Sequence, residues 1–366
     1  MTDPFLVALA NCPVFGSRTL EKLFAKFGTA QAIWAAPEHE FLELGIPESR
    51  LAGFFTFRQA ARPDVYVKSM EQHGIRLITK DDTEYPALLK TIYDPPFALF
   101  IQGELMREQC VSIVGSRNLS EYGKKTARTF AYGLAAHGVS IVSGLALGID
   151  TIAHKGAIEA KGHTTAVLGG GLLAHNSMDK ENIAEKIIET GGTLVTEYGL
   201  HSPFLRFHFP MRNRIIAGMS RITLVVEAGL PSGSLLTAHA AINAGREVFA
   251  VPGPIDSLTS AGTNNLIKDG AFVATSPDDL LLAFGIATPR KTDGAPAPQP
   301  VALKKPLPEL IPFHRSICAY LEHSSLFADE LCLKTGSTAS DMSRALLELE
   351  LMGVVRSLGG TRYERV

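Results

Sequence analysis

Val111-Ser-Ile-Val-Gly-Ser-Arg117 sets the fold of this chain. A run of apolar and β-branched residues, of strand length, stops at a glycine; Ser116 and Arg117 follow, and a helical pattern begins near Glu121. The same grammar returns in apolar runs at about 139–142, 164–168, 193–196, 222–226, 247–251 and 271–274. Helical segments lie between them at about 121–137, 149–161, 180–190, 233–244 and 276–284. Strands that are apolar along nearly their whole length, bounded by glycine and spaced by helices, predict a parallel sheet covered on both faces. The right-handed crossover rule then gives a doubly wound, Rossmann-like α/β domain over residues 76–287.

Outside this block the pattern changes. Residues 1–75 read as short helices (6–10, 17–27, 29–35, 38–44 and 48–59) broken at Cys12-Pro13, Gly28, Pro37 and Gly45-Ile-Pro47. This is a small all-helical unit of the SAM or helix–hairpin–helix kind, or equally a solvated helical spacer. Residues 288–308 are proline-rich without periodicity, the signature of an extended linker. From 309 to 366, helices at about 313–323, 326–334 and 338–352 precede a hairpin turned at Gly359-Gly360, a winged-helix pattern.

The 366 residues carry a formal net charge of -2, with 46% hydrophobic and 20% charged residues. That balance excludes a basic coat over the whole surface, so any nucleic-acid site is a local patch. Cys12, Cys110, Cys318 and Cys332 form no Cys-x-x-Cys pair and read as thiols of a reducing compartment. There is no basic segment with an apolar run behind it at the amino terminus, and no stretch of membrane-spanning length, so a cytoplasmic protein is expected.

The densest patch is His201–Arg221, which holds Arg206, Arg212, Arg214 and Arg221, no Asp or Glu, and the interleaved Phe204, Phe207 and Phe209. Cations follow a phosphate backbone and aromatic faces stack unpaired bases, a pairing that suits single-stranded nucleic acid. The competing reading makes the phenylalanines core and the arginines a solvated rim. Three further loops leave strands with phosphate-compatible chemistry: Gly115-Ser116-Arg117, Ser143–Asp150, and Glu227–Thr237 with Ser232, Gly233 and Ser234 at a helix start. Asp150 reads as a helix cap. Each loop alone is ordinary capping chemistry; four on one rim suggest a ligand with several phosphates. With about four phosphates neutralised, the log–log salt slope would be near -2.8, roughly fifty-fold weaker binding at 200 than at 50 mM salt.

Signatures of catalysis are absent: no Walker A run, no His-Glu-x-x-His, no Gly-x-Ser-x-Gly. Gly169-Gly-Gly171-Leu-Leu-Ala174 fits a loose dinucleotide fingerprint, but on the third strand instead of the first. His154, His163 and His239 lack metal-ligand spacing. No cofactor, metal or catalytic residue is expected; Glu227, at a strand end, is the one acid–base candidate.

These residues together resemble the DNA-processing protein A family (DprA, also called Smf). The matching runs are Val111–Arg117 with Tyr122-Gly123, Ser143-Gly-Leu-Ala146 with Gly148-Ile-Asp150 and His154, Phe209-Pro210 with Arg212-Asn-Arg-Ile-Ile-Ala-Gly218, Glu227-Ala228 with Ser232-Gly-Ser234 and Thr237, and Val251-Pro-Gly253. The resemblance implies a homodimer that binds single-stranded DNA and delivers it to the recombinase RecA, past single-strand-binding protein, during natural transformation. It carries DNA contact to Gly115, Ser116, Arg117, Arg206 and Phe209, to which Arg212, Arg214, Ser232, Gly233 and Ser234 are added here. The chain departs from the family after Gly171, where an expected Leu-Asp and Tyr-Pro are missing from Leu172–Asn182.

The third helix of the winged-helix segment carries Asp341, Glu348 and Glu350 against Arg344. A helix that reads duplex DNA should be basic, so a protein–protein or regulatory role is expected there. Two other readings stay open: a nucleotide phosphoribohydrolase-like enzyme using Glu227, and a transcriptional regulator acting through the winged helix.

Overall fold

In the computed structural model, which describes residues 2–106, 109–174, 182–286, 311–322, 325–352, 354–358 and 360–365, the chain forms two compact units, Met1–Thr288 and Pro289–Val366. The linker expected at 288–308 lies outside the described residues.

The first unit opens with six helices: α1 Pro4–Ala10, α2 Ser17–Phe27, α3 Ala30–Ala35, α4 Glu38–Leu42, α5 Glu48–Ala60 and α6 Pro63–Gln72. Apolar residues spaced by three or four, such as Leu20 and Leu23 or Leu51 and Phe54, bury one stripe of each helix. Phe41 and Phe54 are fully buried in an aromatic cluster with Phe15, Phe24 and Phe27 near it. That cluster extends onto Phe97 and Ala98, and a second one joins Val7 and Met70 to Ile75, Phe100 and Leu200. The helical layer therefore shares its core with the sheet.

The sheet has nine strands among the described residues: β1 Ile75–Thr79, β2 Ala98–Gln102, β3 Cys110–Val114, β4 Ser140–Ser143, β5 Thr164–Val167, β6 Thr193–Thr196, β7 Ile222–Val225, β8 Glu247–Ala250 and β9 Phe272–Val273. Their order is β1-β2-β6-β5-β4-β3-β7-β8-β9. From β6 to β9 every pairing is parallel, whereas β1–β2 and β2–β6 are antiparallel. The doubly wound parallel sheet is thus present, and its β6 side carries two antiparallel strands that the sequence pattern did not announce. The helices are α7 Ala87–Lys90, α8 Glu121–Ala135, α9 Ile149–Glu159, α10 Ile183–Glu189, α11 His208–Met219, α12 Gly233–Asn243, α13 Ala261–Lys268 and α14 Pro277–Ala283. They complete two hydrophobic clusters: one has α11 and α12 packed on the sheet, the other α8, α9 and α14.

Strand order reverses between β3 and β7, whose register sets Val114 beside Val225. Open α/β sheets bind ligands at such a switch point, beyond the carboxyl ends of the strands. The two loops are tied together there: the Ser116 amide donates to the Glu227 carbonyl at 2.7 Å.

The second unit holds α15 Pro312–Tyr320, α16 Ala328–Thr335 and α17 Ala339–Leu351, with β10 Leu326–Phe327, β11 Val355–Ser357 and β12 Arg362–Arg365 in the order β10-β12-β11. Ile317, Leu331, Met342, Leu346 and Leu349 form its core. This is a winged helix. Its wing arginines are engaged: Arg356 pairs with Glu364, Arg365 with Glu322 at 3.3 Å, and Arg362 lies over the Phe327 ring.

Candidate nucleic-acid interface

A cavity of about 780 Å3 opens at the switch point. Its walls come from the loop after β3 (Gly115, Ser116, Arg117), the segment leading into α11 (Phe204, Arg206) with the first turn of α11 (Phe209), and the start of α12 (Ser232, Gly233, Ser234). Three loops expected to share one rim do share it. The fourth, after β4, contributes Ala146 and Asp150.

The β3 loop is held from below. Ser116 Oγ donates to the Asn118 carbonyl at 2.7 Å and accepts from the Asn118 amide at 3.1 Å, which closes a tight turn. Gly148 lies directly beneath at φ 95, and a Cβ there would strike the Ser116 carbonyl and the Arg117 backbone. Only glycine tolerates that angle without cost. Arg117 is exposed, and its guanidinium stands over the Phe209 ring, 5.4 Å from the centroid. Phe209 itself packs against Gly169, and Phe204 against Gly170. The first two glycines of the run therefore seat two aromatic rings.

Arg206 is exposed on the same wall. Across the mouth, Ser232 caps α12: its Oγ shares a hydrogen bond with Ser234 Oγ at 2.8 Å and accepts weakly from the Ser234 amide at 3.4 Å. The positive end of the α12 dipole faces the cavity beside Gly233, an arrangement that favours anions.

Two expected contact residues are committed elsewhere. Arg212 lines the cavity but is 2% exposed. It donates to the Gly144 carbonyl at 2.8 Å and to the Val167 carbonyl, binding the ends of β4 and β5. Burial lowers its pKa to about 10, against the pull of Asp150. Arg214 is not in the cavity at all. It forms two hydrogen bonds with Glu197, at 2.8 and 2.6 Å, and lies 3.5 Å from Asp94. Arg221 stands at the start of β7, the opposite end of the sheet, over the Phe284 ring. Of the four arginines in the stretch, Arg206 alone is both exposed and in the cavity.

Asp150 falls in the first turn of α9, where its carboxylate accepts from the Gly144 amide at 3.1 Å. Burial pushes its pKa up to about 6, opposed by Arg212 and by the Ala146 and Gly144 amides. His154, one turn along α9, is fully buried with Nδ1 2.7 Å from Thr164 Oγ1, and burial lowers its pKa to about 3. It is a neutral core residue.

Glu227, the acid–base candidate, is 2% exposed and does not line this cavity. Its carboxylate accepts from the Ser120 amide at 3.0 Å, so it caps α8. Gly123 leaves room for it, because a Cβ at that position would fall on the carboxylate. In this structure Glu227 is thus engaged as a cap. Among the described residues no cluster of His, Cys, Asp or Glu could hold a metal ion, and no helix is long and apolar enough to cross a membrane.

A doubly wound sheet with a cation-and-aromatic cavity at its switch point and a separate winged helix defines a class. Residues 76–285 match the family model described as DNA recombination-mediator protein A, and residues 299–361 match the DprA winged helix domain. The chain belongs to this family. It is 41% identical over 321 residues to Protein Smf of Escherichia coli, covering 83% of each. It is 39% identical to the DNA processing protein DprA of Bacillus subtilis, over 60% of this chain and 74% of that one. Among solved structures, DprA of Streptococcus pneumoniae superposes with a TM-score of 0.65 at 32% identity, covering 77% of this chain and 98% of that one. DNA processing protein A of Helicobacter pylori, described in terms of its single-stranded DNA binding mode, gives 0.51 at 26% identity, over 57% and 94%.

Proposed function

We propose that this chain is a non-catalytic single-stranded DNA binder, with the strand seated in the switch-point cavity on Gly115, Ser116, Arg117, Arg206, Phe209 and the Ser232-Gly233-Ser234 helix start. One observation carries the reading: the exposed Arg117 guanidinium over the Phe209 ring, with exposed Arg206 on the same wall. Arginine forks take phosphate oxygens, and an aromatic ring beside them suits an unpaired base. A mononucleotide enzyme would need neither Arg206 nor an open cleft, and Glu227 is turned away. Arg212 acts here as a brace for the floor.

The single-stranded DNA binding mode described for the Helicobacter pylori relative supports the ligand assignment. In the fuller reading the protein works in the cytoplasm as a homodimer. It shields incoming DNA during transformation and loads RecA past single-strand-binding protein, while the winged helix serves protein contact or regulation. The test is fluorescence anisotropy of a labelled strand of about 30 nucleotides against its duplex. Preferential single-strand binding, followed by faster RecA filament growth on strands coated with single-strand-binding protein, supports the reading. Equal affinity for the duplex, or none for either, refutes it.

A further inference from the structure

A second cavity, of about 920 Å3, lies in the same compact unit, between the helical layer and the far side of the segment that walls the first. Residues alternate along that wall. Phe204, Arg206 and Phe209 face the switch-point cavity, whereas Leu205, Phe207 and Met211 face the second one. Phe207 is 66% exposed, yet it is braced. Its ring meets His208 edge to face at 4.6 Å, and His208, buried, stacks on Tyr198 at 3.9 Å. The His208 ring is itself fixed by its Nδ1, 3.0 Å from the Gly169 carbonyl.

We propose that Phe207 is a second base-stacking platform, which takes a nucleobase of the strand seated in the first cavity as that strand passes over the wall. This rests on the single-stranded DNA reading above. Continuity argues for that occupant: exposed Arg206 separates the two faces and can hold the phosphate between a base on Phe209 and a base on Phe207. Charge agrees. Tyr198–Val226 contains no Asp or Glu, and the carboxylates lining the second cavity among the described residues, Asp94 and Glu197, both face Arg214. Leu205 and Met211, both exposed, add apolar surface to the same cavity as the exposed ring. A rigid aromatic face with a cation beside it binds bases without sequence preference.

The experiment uses the full chain with Phe207→Ala and Phe207→Trp, and two oligonucleotides of about 12 residues, one intact and one with abasic sites. Phe207→Ala should weaken the intact strand by about fivefold or more and leave the abasic strand unchanged. Phe207→Trp should keep the affinity, and its fluorescence should be quenched by the intact strand only. The one native tryptophan, Trp34, packs among Phe5, Phe54 and Phe57, and the native protein titrated in parallel gives its background. The platform is refuted if Phe207→Ala binds the intact strand like the native protein while Arg117→Ala loses it; the first cavity then stands alone. It is also refuted if Phe207→Ala alters self-association but not DNA affinity, which would make this face an interface between copies. If the native chain binds no single strand, platform and parent reading fall together.

Discussion

Asp150 and the arginines around it carry the residue-scale consequences. In the folded state its pKa rises from 3.8 to about 6 because it is buried, so the folded chain holds that proton longer than the unfolded chain. The resulting stability is fully present below pH 3.8 and is lost as pH rises through about 6. Asp150→Asn should remove this decline, since the amide oxygen can still accept from Gly144. Urea midpoints between pH 4 and 7 for the two proteins check it, and parallel curves would exclude the carboxyl as the source. Arg214 and Arg206 should separate cleanly. Arg214→Ala leaves Glu197, whose side chain is 14% exposed, without its partner and should cost about 3 kcal/mol in stability. Arg206→Ala should leave stability within about 0.5 kcal/mol and weaken single-strand binding instead. The sequence showed four arginines close together but not where they point. Residues two apart on a helix face nearly opposite ways, so reading α11 from His208 would have separated Arg212 from Arg214 at once. Pro210 hides that helix, although proline is tolerated in a first turn.

At the scale of elements, Glu227 is the joint between β7 and α8. Gly123→Ala should push its carboxylate off the Ser120 amide and destabilise the chain by about 1–3 kcal/mol; thermal melts of the variant read this directly. A variant as stable as the native protein would mean the cap contributes nothing. The seven parallel strands were legible because each is a nearly unbroken apolar run before a glycine or polar turn. The two antiparallel strands were not. Arg76 interrupts the apolar run of β1, and β2 follows Pro95-Pro96, a pair that reads as loop. Helix α13 was missed because Gly262, Thr263 and the two asparagines after it have weak helix propensity. In α6 Met70 is the one buried residue, too little to make a helical stripe.

At the scale of the whole molecule, the cavity was legible and its charge was overcounted. The three main loops were identifiable because phosphate-compatible residues follow strand ends. How many cations remain for a ligand depends on packing, and Arg212 and Arg214 are already engaged by protein oxygens. The winged helix forms a separate unit with its wing arginines occupied. Removing the residues after Pro308 should therefore leave single-strand affinity within a few-fold, and a loss of about tenfold by anisotropy would assign DNA contact to that unit. The central claim is that Arg117 and Arg206 hold phosphates at the switch point, and salt dependence tests it most directly. Two arginines on a single strand predict a log–log slope near -1.4, about sevenfold weaker binding at 200 than at 50 mM salt, falling to about -0.7 in Arg117→Ala. A flat response in the native protein, or a slope that Arg117→Ala leaves unchanged, would contradict it.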